Sequence, residues 1–427
     1  MGQKWELVAK SKNKRRKDFD LRDFCVTLHF EKLGTMTNYI RHIISALFCV
    51  LSLTSSKAQD SLSVSVLTCT PGADLYAKFG HTALRVQNHT TQNDVVFNYG
   101  CFDGSSNDFM WKFLLGQTDY LLEAEPYEYF VARYGRMGNG VTEQTLNLSQ
   151  EESLQLAYLL LENIRPENQQ YRYMWLYDNC TERARNMVEH AVNGKIVYQR
   201  ALEKKTIRQM LNQCLAQDAW TEFGIDMILG SEIDQEVDKR IQMFLPAFYS
   251  SEVNEAQIER TDGNKAPFLS STHQILAETN ENQPTPFLLS PLFVFAILLT
   301  ASILLFIFEW RKGFYTPWLD VPMHIAQGIA GIIVAFLFFL SEHPAVDSNW
   351  LVAIFNPLPL FYAGWLIRCQ KKQKRNKLSY INMAVLILFT VTMAFCPQSF
   401  NTAMWLVVLS LLVRALSQAH FTYHAQP

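Results

Sequence analysis

The chain carries little net charge. Its 38 Lys and Arg residues are almost balanced by 40 Asp and Glu residues, so the 427-residue sequence has a formal net charge of −2 at pH 7. Nucleic-acid-binding proteins concentrate basic residues on one face, and this balance gives no indication of such a face. We therefore expect no nucleic-acid partner.

The sequence also lacks the residue clusters of a metal site or a disulfide framework. No His, Cys and Asp residues stand at the spacings typical of metal ligands, so we expect no metal ion and no cofactor. Eight cysteines do not make a disulfide framework in a chain of this length. Cys69 and Cys101 are either a disulfide pair, which an oxidising compartment allows, or two small buried side chains.

Residues 36–58 follow the three-part order of a secretory signal peptide. A short segment with one Arg precedes an apolar run over 43–54, and a small-residue site ends at Ala58, after which we expect cleavage. An apolar run of about 12 residues is shorter than the ~20 that span a bilayer, which favours a signal peptide over a transmembrane helix. Residues 1–35 are polar and aperiodic, so we interpret Met36 as the initiator and 1–35 as a non-native or disordered extension.

Long hydrophobic runs fill the C-terminal part of the chain. Five apolar stretches of roughly spanning length lie at 286–310, 321–340, 350–367, 380–395 and 404–416, within a predicted membrane domain of residues 286–420. Lys and Arg follow the first stretch and separate the third from the fourth, whereas the loops 341–349 and 396–401 contain neither. Because basic loops stay in the cytoplasm, we expect residues 59–285 outside the cytoplasm and the C-terminus inside it.

Residues 59–250 are predicted to form one exported α+β domain, which a polar, aperiodic linker over 251–285 joins to the membrane domain. Ser149 and Glu152 have the spacing of a capping box that opens a helix. Strand patterns, the last two of which predict an antiparallel hairpin, lie at 62–68, 81–87 and 94–99.

A predicted helix has a cysteine at its start. The apolar residues that follow Cys180 have the spacing of one helix face: Ala184, Met187, Val188, Ala191 and Val192. Asp178 or Asn179 can cap this helix. Unpaired N–H groups and the helix dipole favour a thiolate there, and the same N–H groups can stabilise an oxyanion. Cys180 is therefore a candidate nucleophile, and the alternative is a buried, inert cysteine.

His81 is the candidate base. It follows Gly80 and opens the first strand of the hairpin, at an edge where its side chain can meet a helix start. An imidazole there can take the thiol proton and later protonate a leaving group. The other histidines of the exported segment lie at the hairpin tip, late in the helix and in the linker. Elimination favours His81, although a histidine at a strand edge can also be structural.

A third group usually orients the imidazole of such a pair. Counting the register about the hairpin loop places Asn98 within two residues of His81. Asp94, Asp178 or a backbone carbonyl can serve as well, and the residues alone leave these alternatives open.

Several motifs resemble those of the Lnb-type family of bacterial lipoprotein N-acyltransferases. They are Pro71-Gly72, Phe79-Gly80-His81-Thr82-Ala83-Leu84-Arg85, Phe97-Asn98-Tyr99-Gly100, Asp178-Asn179-Cys180, Met243-Phe244-Leu245-Pro246, Ser341-Glu342-His343 and Asn356-Pro357-Leu358-Pro359. A histidine strand before an Asn-Cys helix is also similar, more distantly, to the circularly permuted papain-like enzymes, including lecithin:retinol acyltransferase and the NlpC/P60 relatives. The resemblance implies a permuted papain-like (NlpC/P60-like) domain in the periplasm and an all-α transmembrane bundle of about five helices in the bacterial inner membrane.

The resemblance implies Cys180 as nucleophile and His81 as base. Relatives of lecithin:retinol acyltransferase carry a second histidine on the next strand, where this chain has Asn98, so the orienting group departs from that pattern. An amide orients the histidine of papain in the same way. Candidate substrate-binding residues within the matching motifs are Arg85, Tyr99, Glu342 and His343.

The favoured hypothesis is transfer of a fatty acyl chain from a phospholipid, through a Cys180 thioester, to the α-amine of the N-terminal cysteine of a diacylated lipoprotein. Both substrates keep acyl chains in the bilayer, which fits a membrane-attached enzyme. Aromatic residues that either line an acyl-chain slot or form ordinary core are Phe109, Trp111, Phe113, Tyr120, Tyr127, Tyr129 and Phe130. The alternatives are a periplasmic cysteine peptidase or amidase that acts on cell-wall peptide or protein, and a non-catalytic membrane scaffold.

Overall fold

The computed structural model describes residues 61–102, 108–200, 204–280, 283–372 and 374–424. The predicted extension over 1–35 and the predicted signal peptide over 36–58 lie outside these residues. From residue 62 onward, apart from the hairpin tip at 88–93, the chain belongs to one compact unit. The sheets, the candidate site and the membrane helices described below are all parts of that unit.

The N-terminal domain is built on a mixed set of strands and helices. The strands are β1 (Leu62–Cys69), β2 (His81–Asn88), β3 (Asp94–Cys101), β4 (Asp119–Pro126), β5 (Val141–Leu146), β6 (Gln170–Arg172), β7 (Lys195–Val197), β8 (Gln257–Glu259), β9 (Lys265–Pro267) and β10 (Leu269–Leu276). Seven of them form one sheet in the order β10-β5-β1-β2-β3-β4-β6, and β7, β8 and β9 form a smaller sheet. The predicted hairpin is confirmed, because β2 pairs antiparallel with β3.

Eight helices of the described residues belong to this domain. They are α1 (Phe109–Leu115), α2 (Tyr127–Met137), α3 (Gln150–Asn163), α4 (Cys180–Ala191), α5 (Ile207–Leu215), α6 (Ala219–Ile228), α7 (Lys239–Gln242) and α8 (Pro246–Glu255). The predicted capping box is present at the start of α3, where Ser149 and Glu152 satisfy each other's backbone N–H groups. Leu156 and Leu160 then recur one turn apart and are fully buried. Because α3 packs on both β1 and α4, it holds the helix that begins at Cys180 against the sheet.

The structure differs from the prediction over residues 251–285, which were expected to form a linker. Helix α8 continues to Glu255, and β8, β9 and β10 follow it. Strand β10 pairs antiparallel with β5 at the edge of the large sheet, with Thr272 opposite Gln144. An edge strand with mostly exposed side chains needs few apolar residues, so its sequence lacks the alternation that marks a half-buried strand. The N-terminal domain therefore continues past the predicted boundary at residue 250.

The C-terminal part is helical. Its helices are α9 (Pro291–Lys312), α10 (Asp320–Leu340), α11 (Leu358–Lys371), α12 (Leu378–Met393) and α13 (Thr402–His424). Within the described residues, four segments are long and apolar enough to cross a membrane, namely Pro291–Lys312, Asp320–Leu340, Trp350–Lys371 and Thr402–Thr422, and Leu378–Met393 is a shorter apolar helix. They lie where the five apolar stretches were predicted. The prediction of an α+β domain followed by a helical membrane bundle is confirmed.

The two domains share a hydrophobic cluster. Leu176, Phe244 and Leu245 of the N-terminal domain are buried together with Leu337 and Val346 of the membrane domain. Backbone hydrogen bonds reinforce this contact, because the N–H groups of residues 230 and 231 donate to carbonyl groups of residues 345 and 348 over 2.7 and 3.1 Å. The N-terminal domain is therefore packed onto one end of the membrane bundle and is not joined to it by the chain alone.

A cluster of charged side chains is buried within the membrane bundle. Arg414 of α13 donates to both oxygens of Glu309 on α9 over 2.9 and 3.0 Å, and to both oxygens of Asp320 on α10 over 2.8 and 2.9 Å. All three residues are at most 1% exposed. Ser417 also donates to Glu309, over 2.6 Å. Because a buried charge requires a partner, this cluster ties three helices together at one end of the bundle.

Candidate active site

The start of α4 is held by a dense set of hydrogen bonds from one side chain. Asn179 is the N-cap, and its Oδ1 accepts from the N–H groups of Thr181 and Glu182 over 2.9 and 3.1 Å. Its Nδ2 donates to the carbonyl oxygens of Trp175 and Phe244, each over 2.9 Å. Of the two predicted caps, the structure therefore uses Asn179 and not Asp178, whose carboxylate pairs with Arg183 over 2.6 Å.

Cys180 is the first residue of α4 and contacts His81, the first residue of β2. The two side chains lie close enough for each to shift the pKa of the other, and Cys180 is only 9% exposed. Burial alone would raise the pKa of the Cys180 thiol, but the charge and hydrogen bond of His81 lower it below its ordinary value. Burial alone would lower the pKa of His81, but the adjacent Cys180 raises it. The pair thus favours a thiolate beside an imidazolium, which is the reactive form of such a site.

Two threonines complete the surroundings of the sulfur. The hydroxyl of Thr181 lies 4.0 Å from the sulfur, and both this hydroxyl and the backbone N–H group of Thr82 lower the pKa of the thiol. The two threonine hydroxyls are 3.0 Å apart and fully buried. This contact fixes the start of α4 against the start of β2. The same hydrogen bond therefore positions both Cys180 and His81.

A glycine allows β2 to begin at this place. Gly80 has φ = +79°, which L side chains rarely adopt, and a Cβ there would lie 2.5 Å from the carbonyl oxygen of Cys69. Only glycine fits a position with both constraints. The chain can therefore pass close to β1 immediately before His81 and aim its imidazole at α4.

Asn98 contacts one nitrogen of the imidazole. It lies opposite Ala83 in the β2–β3 ladder, two residues from His81 as predicted, and its Oδ1 is 3.2 Å from His81 Nε2. Because an amide oxygen can only accept, Nε2 carries the proton in this contact and Nδ1 is the nitrogen that can accept one. This is the tautomer that a base facing a thiol requires.

A carboxylate that sequence reasoning missed fixes the orientation of the Asn98 amide. Glu125 of β4 accepts a hydrogen bond of 3.0 Å from Asn98 Nδ2, and Arg133 of α2 forms an ion pair with the same carboxylate. Since a carboxylate only accepts, Asn98 must present its nitrogen to Glu125 and its oxygen to His81. Glu125 is distant from the other site residues in the sequence, and its only sequence signal is its place at the end of the strand that follows the hairpin.

Comparison with family models matches both halves of the chain. Residues 52–213 match the model of the Lnb N-terminal periplasmic domain, and residues 281–426 match the model of the Lnb transmembrane domain. The chain belongs to the Lnb family. This Lnb protein is therefore a membrane-anchored member of a lipoprotein-processing family, and its N-terminal part is periplasmic. Comparisons with curated proteins and with solved structures gave no match.

Two candidate substrate-binding residues of this Lnb protein have structural partners instead. The guanidinium of Arg85 donates to Asp94 and Glu143 and lies 3.5 Å from the ring centre of Tyr127. Tyr99 is fully buried, and its hydroxyl donates to Asn163 over 2.6 Å. Neither side chain faces the sulfur with a free polar group, so the structure gives no support to their predicted role. Both residues hold β2 and β3 in place.

The other two candidates, Glu342 and His343, lie where the domains meet. Glu342 accepts a hydrogen bond from the side chain of Gln117 over 2.8 Å, and its N–H group donates to the carbonyl of Leu115 over 2.8 Å. His343 Nε2 is 2.6 Å from the carbonyl oxygen of Phe113. The structure therefore gives these two residues contacts with α1 of the periplasmic domain, and their predicted role in binding substrate stays a prediction.

The remaining chemistry of the Lnb periplasmic domain is limited. Cys69 and Cys101 are both free thiols in the structure, and Cys69 is buried, which favours the second of the two alternatives for this pair. Across the part of the chain that the structure describes, no group of three or more His, Cys, Asp or Glu side chains is placed to hold a metal ion. The chemistry that this arrangement supports is that of a thiol nucleophile with a histidine base.

Proposed function

We propose that this Lnb protein transfers a fatty acyl chain from a phospholipid to the α-amine of the N-terminal cysteine of a diacylated lipoprotein. The observation that carries the proposal is the adjacent Cys180–His81 pair at the start of α4, in which each side chain shifts the pKa of the other, in a periplasmic domain that is packed onto a membrane bundle. A thiol nucleophile held at a membrane surface suits two substrates whose acyl chains remain in the bilayer.

The proposed reaction has two steps. In the first, the thiolate of Cys180 attacks the ester carbonyl of the phospholipid, the ester C–O bond breaks, and the imidazolium of His81 protonates the departing lysophospholipid oxygen. In the second, the lipoprotein amine attacks the thioester, the C–S bond breaks, and neutral His81 takes the proton that the amine loses. The products are an amide and the original thiolate–imidazolium pair, so a covalent intermediate links two half-reactions.

Each step passes through a tetrahedral intermediate with a negatively charged oxygen. Cys180 occupies the first position of α4, where backbone N–H groups have no partner within the helix, while the next two N–H groups are taken by Asn179. The N–H group of Cys180 therefore suits an oxyanion that forms next to the sulfur. Asn179 contributes by holding this helix start rigid and not by contact with the oxyanion.

Asn98 and Glu125 are proposed as positioning residues. Asn98 holds the proton of neutral His81 on Nε2. Glu125, paired with Arg133, holds the Asn98 amide with its oxygen toward His81. A cysteine, a histidine and an amide side chain in this spatial arrangement support the permuted papain-like interpretation of the domain.

Replacing Glu125 with glutamine is expected to shift the reactivity of Cys180 to higher pH. The glutamine amide can donate to Asn98, which allows the Asn98 amide to turn and present its nitrogen to His81 Nε2. An imidazolium donates from both nitrogens, so it loses its acceptor; the pKa of His81 falls and that of the Cys180 thiol rises. We expect the midpoint of the pH profile for alkylation of Cys180 by iodoacetamide to rise by about one pH unit, the value of one hydrogen bond to a charged group.

The matched control is Glu123→Gln. Glu123 lies on the same strand, directly opposite Asn98 in the ladder, so its replacement removes the same charge without touching the Glu125 hydrogen bond. An equal shift in both variants would show that charge alone, and not the orientation of Asn98, sets the thiol pKa. An unchanged profile in Glu125→Gln would remove Glu125 from the positioning set.

The proposed orientation places the C-terminus of the chain in the cytoplasm of a bacterium and the whole bundle in its inner membrane. The periplasmic assignment of the N-terminal domain supports it, as do the basic loops that follow α9 and α11. Five membrane crossings from an outside start end on the inside.

The function is tested by expressing the full chain in bacteria whose own lipoprotein N-acylation has been removed. We expect the N-terminal peptide of a lipoprotein to gain the mass of one amide-linked acyl chain. If the peptide mass does not change while the protein is present in the membrane, acyl transfer to lipoproteins is the wrong function. Release of peptide fragments from cell wall or protein by the same full-length protein would instead favour the cysteine peptidase or amidase.

A further inference from the structure

Helix α1 exposes large apolar side chains. None of its residues is buried, and Met110, Trp111 and Phe113 are 64%, 57% and 39% exposed. A short helix of a water-soluble domain would bury such side chains or lack them. The exposure of three neighbouring large apolar residues therefore indicates a surface that contacts something other than water.

The position of α1 identifies that surface. The ring of Trp111 lies 5.4 Å from that of Phe336 on the membrane helix α10. The carbonyl of Leu114 accepts from the hydroxyl of Ser341, which follows the last residue of α10, over 2.8 Å. Because α1 is bonded to the end of a membrane-spanning helix, its exposed side chains lie at the level where the bilayer meets water, and tryptophan is enriched at that level.

A series of aromatic rings leads from α1 to the candidate site. Phe109 of α1 stacks on Phe102 at a centroid distance of 5.0 Å, Phe102 lies 5.0 Å from Tyr120, and Tyr120 stacks on Tyr173 at 4.1 Å. The last ring lies beside the catalytic helix, because Tyr173 and Cys180 both flank Gly100. Four rings thus form a continuous apolar wall between the membrane surface and the sulfur.

Gly100 leaves space at the end of this wall. It has φ = +89° and sits at an irregularity in the β3–β4 ladder, and a Cβ added there would lie 3.7 Å from Cys180 Cβ and 3.9 Å from the Tyr173 ring. A side chain at this position would contact both the last ring and Cys180. Its absence lets an apolar chain that follows the rings approach the thiol.

We propose that α1 lies in the outer leaflet of the bilayer and that the Phe109–Phe102–Tyr120–Tyr173 wall guides the acyl chain of a bilayer lipid to Cys180. The bilayer is the occupant of the exposed α1 surface, because that surface continues the apolar surface of α10 at Phe336. This inference rests on the proposed acyl transfer for its biological meaning. Its tests do not depend on acyl transfer.

The first test measures contact between α1 and lipid. A photoreactive benzophenone side chain is placed at position 111 of the full-length protein in phospholipid vesicles, and lipid adducts are counted by mass spectrometry after illumination. The matched control is position 129, because Tyr129 on α2 is aromatic and equally exposed (56% against 57%) but has no described contact with a membrane helix. We expect phospholipid adducts at least about tenfold more often at 111 than at 129. Equal yields at the two positions would overturn the placement of α1 in the bilayer.

The second test measures the path to the sulfur. Cys180 is alkylated either by iodoacetamide from water or by hexadecyl bromoacetate from the bilayer; in both reactions the thiolate forms a C–S bond and the halide leaves. Replacing Phe102 with serine opens the middle of the ring wall, and Tyr129→Ser is the matched control. We expect Phe102→Ser to slow the lipid reagent by about tenfold, the effect of losing one apolar ring contact, and to leave iodoacetamide unchanged.

The two reagents separate the outcomes. If Phe102→Ser slows both reagents equally, the residue supports the fold and the proposed path is wrong. If it slows neither, the acyl chain does not follow these rings. A protein that passes both tests and yet adds no acyl chain to a lipoprotein would overturn the proposed function while leaving the lipid path in place.

Discussion

Replacing Cys180 with alanine is expected to abolish the gain of an amide-linked acyl chain on lipoproteins, with a fall in rate of roughly 10⁴-fold or more. In the proposed reaction the sulfur forms the bond on which both half-reactions depend. Without the sulfur, His81 loses its partner for proton exchange, and the nearby Thr181 hydroxyl is hydrogen-bonded to the hydroxyl of Thr82. The measurement is the mass of the N-terminal lipoprotein peptide, with the amount of variant protein in the membrane determined in parallel.

Cys214→Ala is the matched control for this variant. Cys214 is a half-buried free cysteine on α5 that packs against a hydrophobic cluster and has no described contact with His81. We therefore expect the Cys214→Ala protein to keep its acyl-transfer activity. Retained acyl transfer in Cys180→Ala, at a protein level equal to wild type, would show that the nucleophile is another residue.

Replacing Arg414 with leucine is expected to destabilise the protein by about 3–5 kcal/mol, the cost of leaving buried charges without their partner. Glu309 and Asp320 are fully buried, and Arg414 supplies four hydrogen bonds to them. Without the guanidinium, two buried carboxylates lose the charge partner that they share. The measurement is the denaturant midpoint of the full-length protein in detergent micelles.

A triple variant distinguishes the loss of a charge partner from the loss of packing. Arg414→Leu is combined with Glu309→Gln and Asp320→Asn, which removes all three charges while keeping similar side-chain volumes on α9 and α10. We expect the triple variant to recover most of the stability that the single variant loses. A triple variant as unstable as Arg414→Leu would mean that the guanidinium acts by filling space.

The central pair and its amide could be predicted because their signals are local. The hairpin loop fixes the register that brings Asn98 within two residues of His81, and the apolar period after Cys180 fixes the helix that it starts. Strand β2 and helix α4 are far apart in the sequence, so no local pattern predicts their contact. That prediction depended on the chemistry that a cysteine and a histidine perform together. The structure brings those two side chains together, so that each shifts the pKa of the other.

The supporting residues could not be predicted because their partners are far apart in the sequence. Glu125 lies 27 positions from Asn98, and Glu309 and Asp320 lie 105 and 94 positions from Arg414. A carboxylate near the end of a membrane helix is inexpensive if it reaches water and costly if it is buried, and sequence alone does not distinguish the two. Strand β10 was missed for a related reason, since pairing through the backbone leaves its exposed side chains free to be polar.

The hydrophobic cluster that contains Leu176, Phe244, Leu337 and Val346 sets the height of the sulfur above the bilayer. A domain joined to the membrane only by a flexible linker would hold its sulfur at many distances from the bilayer, and it could reach amines at many positions along a polypeptide. In the proposed reaction, a thioester fixed in this way would meet only those amines whose own anchor holds them at the same level. Selection of the terminal residue of a lipid-anchored protein would then follow from distance alone, without recognition of its amino-acid sequence.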